Sequence, residues 1–244
     1  METSDTIMDG RLSRRTLLKG AGAVGLGLTL GHATLLRAVA ATSESVSEII
    51  NVMATAEVLG VTLLGGAVAS ARAGRYNRPI PPAVLAILEA ARAEEQFHLD
   101  FLRAAGARPL TDTITVPDAA ILSDYDTFFA TLVTLETACI AADMAAAREL
   151  AALGQPGLVK AVYQIGTEEA EHRVLANYAL GVRPANNVAF EPPMFTRVSE
   201  LAAALRHLGF IGGTGQAVPY PGPGPIMTRG VTNTTPHGPA AACR

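Results

Sequence analysis

Two short stretches carry residues that can do chemistry together. Glu94-Glu95-Gln96-Phe97-His98 and Glu168-Glu169-Ala170-Glu171-His172 each contain a Glu-x-x-His pair, Glu95/His98 and Glu169/His172. Residues three apart on a helix share a face, so each pair offers one carboxylate and one imidazole to a transition-metal ion. The composition predicts only about 0.3 such pairs by chance. One pair would mean little. Two, each in the second helix of a hairpin, mean more.

Two further glutamates stand out by isolation. Glu57 is the only charged residue between Ile49 and Ala71, and Glu136 the only one between Thr127 and Ala142. A lone carboxylate on an apolar helix must be paired, protonated or metal-bound if it is buried. Glu94, Glu168 and Glu171 read as solvated neighbours that make surface ion pairs. Cys139, one turn after Glu136, reads as a small core residue. Asp143 either orients a ligand or marks the edge of the core face. Arg92 reads as a rim ion pair, and Met53, Val61 and Ile165 as apolar packing around the site.

These residues need helices to position them. Residues 43–73 hold no proline and predict a first long helix. Pro81 and Pro82 suit the start of a second, over 82–105, stopped by Gly106. Asp124 is placed to cap a third helix that ends near Leu153. Gly154-Gln155-Pro156-Gly157 forms a turn, and a fourth helix runs to Leu180 with Gly181 as its stop. A short amphipathic helix spans 196–208. From Gly209 the chain is rich in Gly and Pro and reads as extended or disordered.

Depth supports this arrangement. Glu57 lies about 26 Å of helical rise before its turn, and Glu95 about 21 Å after it. Glu136 and Glu169 lie about 26 and 18 Å from theirs. Each hairpin therefore brings its isolated glutamate level with its Glu-x-x-His pair. The connection 106–122 is long enough to run the length of a bundle and make the second and third helices parallel. An up-down-up-down order remains equally compatible with that length.

Composition narrows the classes. The chain has 244 residues, 49% hydrophobic and 17% charged, with a net charge of −3. It is too apolar and too weakly charged to be disordered as a whole. No basic stripe is present beyond the N-terminus, so nucleic acid is not an expected partner. Two cysteines, Cys139 and Cys243, cannot make a disulfide framework, a four-cysteine zinc site or a rubredoxin-type centre.

The first forty residues read as an address. Ser13-Arg14-Arg15-Thr16-Leu17-Leu18-Lys19 precedes a weakly hydrophobic stretch, Gly20 to Leu36, and then Arg37-Ala38-Val39-Ala40. The order is that of a signal peptide, and the arginine pair resembles a twin-arginine signal. The expectation is export, periplasmic or extracytoplasmic, with a mature start at Ala41. The membrane is a partner only through this segment, if it is uncleaved.

The pattern of Glu57, Glu95, His98, Glu136, Glu169 and His172 over roughly 43–180 resembles the ferritin-like di-metal carboxylate superfamily of ferritins, rubrerythrins and manganese catalases. It looks closest to exported bacterial ferritin-like domain proteins, which are similar to plant desiccation-related proteins. The resemblance implies an all-α fold: a four-helix bundle over 41–182, then a connection and short helix over 183–208 and a Gly/Pro-rich tail over 209–244. It implies that those six residues bind two Fe or two Mn ions per chain. By the superfamily's own ligand rule, Glu57 and Glu136 would each favour one metal, Glu95 and Glu169 would bridge, and His98 and His172 would complete the ends. It also implies oxidation chemistry with dioxygen or peroxide, of ferroxidase, peroxidase or catalase type. The alternative is a structural or stress-protective protein that turns nothing over. Homo-oligomers are compatible with either. No rubredoxin module is present, and Cys139 occupies the position where rubrerythrins carry a further glutamate.

Overall fold

The structure is a computed structural model that describes residues 44–224 and 231–236. The expected signal segment and the last residues of the tail lie outside that range. Helix α1 (Val46–Arg72) starts from a capping box. The Ser45 hydroxyl accepts from the Glu48 amide, and the Glu48 carboxylate accepts from the Ser45 amide at 2.7 Å. Helices α2 (Pro82–Ala104) and α4 (Pro156–Ala179) each begin with proline in the first turn, where no amide hydrogen is missed. Asp124 caps α3 (Tyr125–Ala152) by accepting from the Thr127 amide at 2.8 Å. Gly106 ends α2 with a φ of 98°, a left-handed conformation that side chains resist.

Two hairpins, α1–α2 and α3–α4, make the bundle, and they meet through α1 against α3 and α2 against α4. The path between hairpins decides the topology. Arg108 and Leu110 donate amides to Asn51 and Thr55, near the start of α1. At the other end, Asn77 of the α1–α2 turn bonds to Ser123, Asp124 and Tyr125. The connection therefore runs back along α1, and α2 and α3 lie parallel on the diagonal. The up-down-up-down alternative is excluded.

Helices α1 and α3 are long and apolar enough to cross a bilayer. Here 72% and 67% of their most apolar stretches are buried inside the fold. Leu64, Leu88, Leu99, Leu102, Phe128, Phe129 and Leu150 fill the centre with almost no exposure. Each apolar side chain of that size contributes about 1.5–3 kcal/mol on burial.

The tail and the long connection hold more structure than their composition suggests. The connection forms strand β1 (Thr113–Val116) and a 3-10 turn (Ala119–Leu122). After helix α5 (Ser199–His207), strand β2 (Gln216–Pro219) pairs antiparallel with β1, with Thr113 opposite Pro219 and Val116 opposite Gln216. Tyr220 then donates its hydroxyl to Oε1 of buried Gln96 at 2.6 Å, with Arg103 over its ring. This part of the tail is thus extended and ordered on its own bundle. Its alternating prolines and glycines hide the pairing, because the partner strand is about a hundred residues away.

Candidate metal centre

All four helices send a carboxylate inward at one level. Glu57 comes from α1, Glu95 from α2, Glu136 from α3 and Glu169 from α4, each with 4% residual exposure or less. His172 is equally buried, and His98 is half-buried at the edge. Met53, Val61 and Ile165 are buried around them as expected.

The six residues form two overlapping groups. Glu57, Glu95, His98 and Glu169 present donor atoms within 4.8 Å of one another, and so do Glu95, Glu136, Glu169 and His172. Glu95 and Glu169 belong to both. His98 Nδ1 lies 3.4 Å from Glu57 and 3.9 Å from Glu169. His172 Nδ1 lies 3.3 Å from Glu95 and 3.8 Å from both Glu136 and Glu169.

The donors lack ordinary partners. Both Nδ1 atoms, Glu57 Oε2 and Glu169 Oε2 are buried without a hydrogen bond. Such atoms are costly unless something binds them. Burial, then the nearby Glu95 and Glu169 carboxylates, push the Glu57 carboxyl well above its ordinary range. Burial and Glu169 do the same to Glu136. Burial pushes His98 down. For Glu169 burial is outweighed by the contacts with His172 and Glu136, and its carboxyl falls to about 2. His172 rises because Glu169, Glu94 and Glu95 outweigh its burial. Without cations, the cluster must hold protons on some carboxylates. Two divalent cations would match four ionised carboxylates in charge, so the donor set fits a pair of metal ions.

One supporting residue was expected elsewhere. Glu94 reads from sequence as a surface ion-pair former; instead its Oε2 lies 2.9 Å from His172 Nε2. That contact turns the other ring nitrogen, Nδ1, toward the carboxylates and fixes its orientation. The adjacent Glu94-Glu95 pair was the available signal: on a helix consecutive side chains diverge by about 100°, enough to reach an imidazole on the facing helix. Glu168 holds no such bond to His98. Gly60 of α1 faces the Glu95 carboxylate. A Cβ there would sit 2.5 Å from the Glu95 carboxylate, so only glycine leaves room for it.

Asp143, Arg92 and Cys139 flank the cluster. Asp143 is buried against Gly166, its Oδ2 has no hydrogen bond, and burial pushes its carboxyl up. It is buried rather than at the solvent edge, within electrostatic reach of Glu169 and Glu95. Arg92 makes no ion pair among the described residues: its Nε is buried without a partner against the bare α-carbon of Gly65. Cys139 stands outside both donor groups, and burial followed by the charges of Glu169 and Glu136 pushes its thiol well up. It is a protonated thiol beside a void of about 20 Å³ that also touches Glu95, Glu136 and Glu169.

Comparison with known proteins agrees with this architecture. No curated protein and no solved structure matches the chain. The model of the ferritin-like domain family does match, over residues 37–182, which spans α1 to α4 and every residue of the cluster. With an inward carboxylate on each of four helices and that match over more than half its length, the chain belongs to the ferritin-like domain family.

Proposed function

We propose that the chain is a di-metal carboxylate protein in which Glu57, Glu95, His98, Glu136, Glu169 and His172 hold two iron or two manganese ions, and that it oxidises ferrous iron or consumes peroxide. The observation that carries this is the sharing of Glu95 and Glu169 between two four-residue donor groups. Hard carboxylates with two imidazoles suit iron or manganese better than copper or a structural zinc. When bound, such a pair supplies two-electron exchange with dioxygen or hydrogen peroxide. The chain's own part is to hold and orient. Glu94 fixes His172 through Nε2, Gly60 makes room for Glu95, and the apolar walls of α1 and α3 keep bulk water away.

Two reactions need no separate electron donor. In ferroxidation, ferrous iron is the substrate and gives up the electrons that dioxygen accepts. In peroxide disproportionation, one peroxide is oxidised as another is reduced. The test is elemental analysis of purified protein, followed by ferrous iron with oxygen, or peroxide, added to the loaded form. About two ions per chain with turnover of either substrate is the expected result. Metal without turnover would leave the non-catalytic alternative, and no metal after anaerobic reconstitution would overturn the proposal.

Export is proposed on the N-terminal segment alone. Intact-mass analysis of the exported protein should give a chain beginning at Ala41. Retention of Met1 would make that segment an anchor instead.

A further inference from the structure

A half-open cavity of about 400 Å³ lies between α2 and α4 on the His98 side of the cluster, and residues 231–236 of the tail form part of its lining. Its volume is far beyond the roughly 30 Å³ occupied by one water, and within the range of small-molecule sites. Antiparallel packing of α2 and α4 sets its acidic and its aromatic side chains at different levels. The contact of Glu94 with His172 sets the register. Glu94 and Glu171 therefore lie toward one end, Phe101, Ala161 and Ile165 toward the other, and Glu168 level with His98 in the middle. Among the described residues that line the cavity there is no lysine or arginine.

We propose that this cavity binds a small organic ammonium ion with an apolar or aromatic body. The ammonium group faces Glu168 and Glu171, and the body lies against Phe101 and Ile165. Converging carboxylates without a basic residue repel anions and favour a cation. Aromatic surface at the other end accepts the hydrocarbon part and adds cation–π attraction. Dioxygen and peroxide need none of this sorting. Binding of the amine does not itself depend on metal, so it stands apart from the di-metal reading.

The test uses the full chain, metal-free and metal-loaded, titrated calorimetrically with phenethylammonium and with 3-phenylpropanoate, similar in shape and opposite in charge. The ammonium should bind and the carboxylate should not over the same concentrations. The double variant Glu168→Gln/Glu171→Gln should weaken the ammonium about tenfold, while metal content and circular dichroism stay as in the parent. Phe101→Ala should weaken it as well. Equal binding of the two probes, binding indifferent to the double variant, or no binding at millimolar concentration would each overturn the proposal. An amine bound by a chain that takes no metal would sink the di-metal reading and leave this one standing. Metal loading without amine binding would do the reverse.

Discussion

His172 is held between Glu94, 2.9 Å from its Nε2, and Glu95, 3.3 Å from its Nδ1. Two consecutive residues of α2 thus grip the two nitrogens of one ring on α4, one from the rim and one from the interior. Removing the outer contact frees the ring without removing a donor to the metal. Glu94→Ala should therefore lower metal affinity by about 10–100-fold and leave the helical content intact. Competition with a chelator of known affinity measures this, and parent-like affinity would show that Glu94 is only a surface carboxylate.

Glu57 and Glu136 each belong to one donor group only. Glu57→Ala and Glu136→Ala should each leave close to one metal ion per chain, whereas Glu95→Ala, which touches both groups, should leave almost none. Elemental analysis of the three variants separates this from a single-ion site, in which all three would lose the same amount.

Gly60→Ala places a methyl group where the Glu95 carboxylate now sits. The obstacle is the end of a flexible side chain, so Glu95 swings away and the helix survives. Alanine even favours the helix by up to about 1 kcal/mol. The expected result is a metal-free protein as stable as the parent that binds metal poorly. Normal stoichiometry at parent affinity would show that Glu95 does not need its present position.

The metal-free protein should lose stability as pH rises from about 5 to 8. Glu57, Glu136 and Asp143 have folded carboxyls above the ordinary values of 4.5 and 3.8, and His172 lies above 6.5. Each raised group stabilises the fold fully below its unfolded value and loses that contribution as pH rises through its folded one. His98, lowered from 6.5, acts oppositely but alone. Glu169, at about 2, matters only in stronger acid, where its contribution is lost as pH falls. The metal-loaded protein should reverse the trend, since protons compete with metal for the same donors. Thermal melts of both forms across this range check the crossing, and parallel curves would contradict it.

Tyr220→Phe removes the hydroxyl that bonds to Gln96, whose Oε1 would be left buried without that partner. The cost should be about 1–3 kcal/mol, read from urea denaturation. A neutral result would mean that the tail can leave its place on α2 without consequence.

The local part of this protein was legible from residue types and spacing. The caps, the helix stops and the two Glu-x-x-His pairs are short-range patterns, and Glu57 and Glu136 stood out because an apolar helix has no other use for one carboxylate. Asp124 caps α3, Gly106 ends α2, and the helix bounds fall close to those expected, because each depends on neighbours within a turn. What spacing left open was set by contacts between distant segments. The bonds of Arg108, Leu110 and Asn77 decided that α2 and α3 run parallel. The meeting of Glu94 with His172, the room left by Gly60 and the pairing of β1 with β2 likewise join residues of different elements. A one-dimensional pattern records the period of a helix and the type of a side chain. It does not record which face of another helix lies opposite, and that is what tertiary packing supplied.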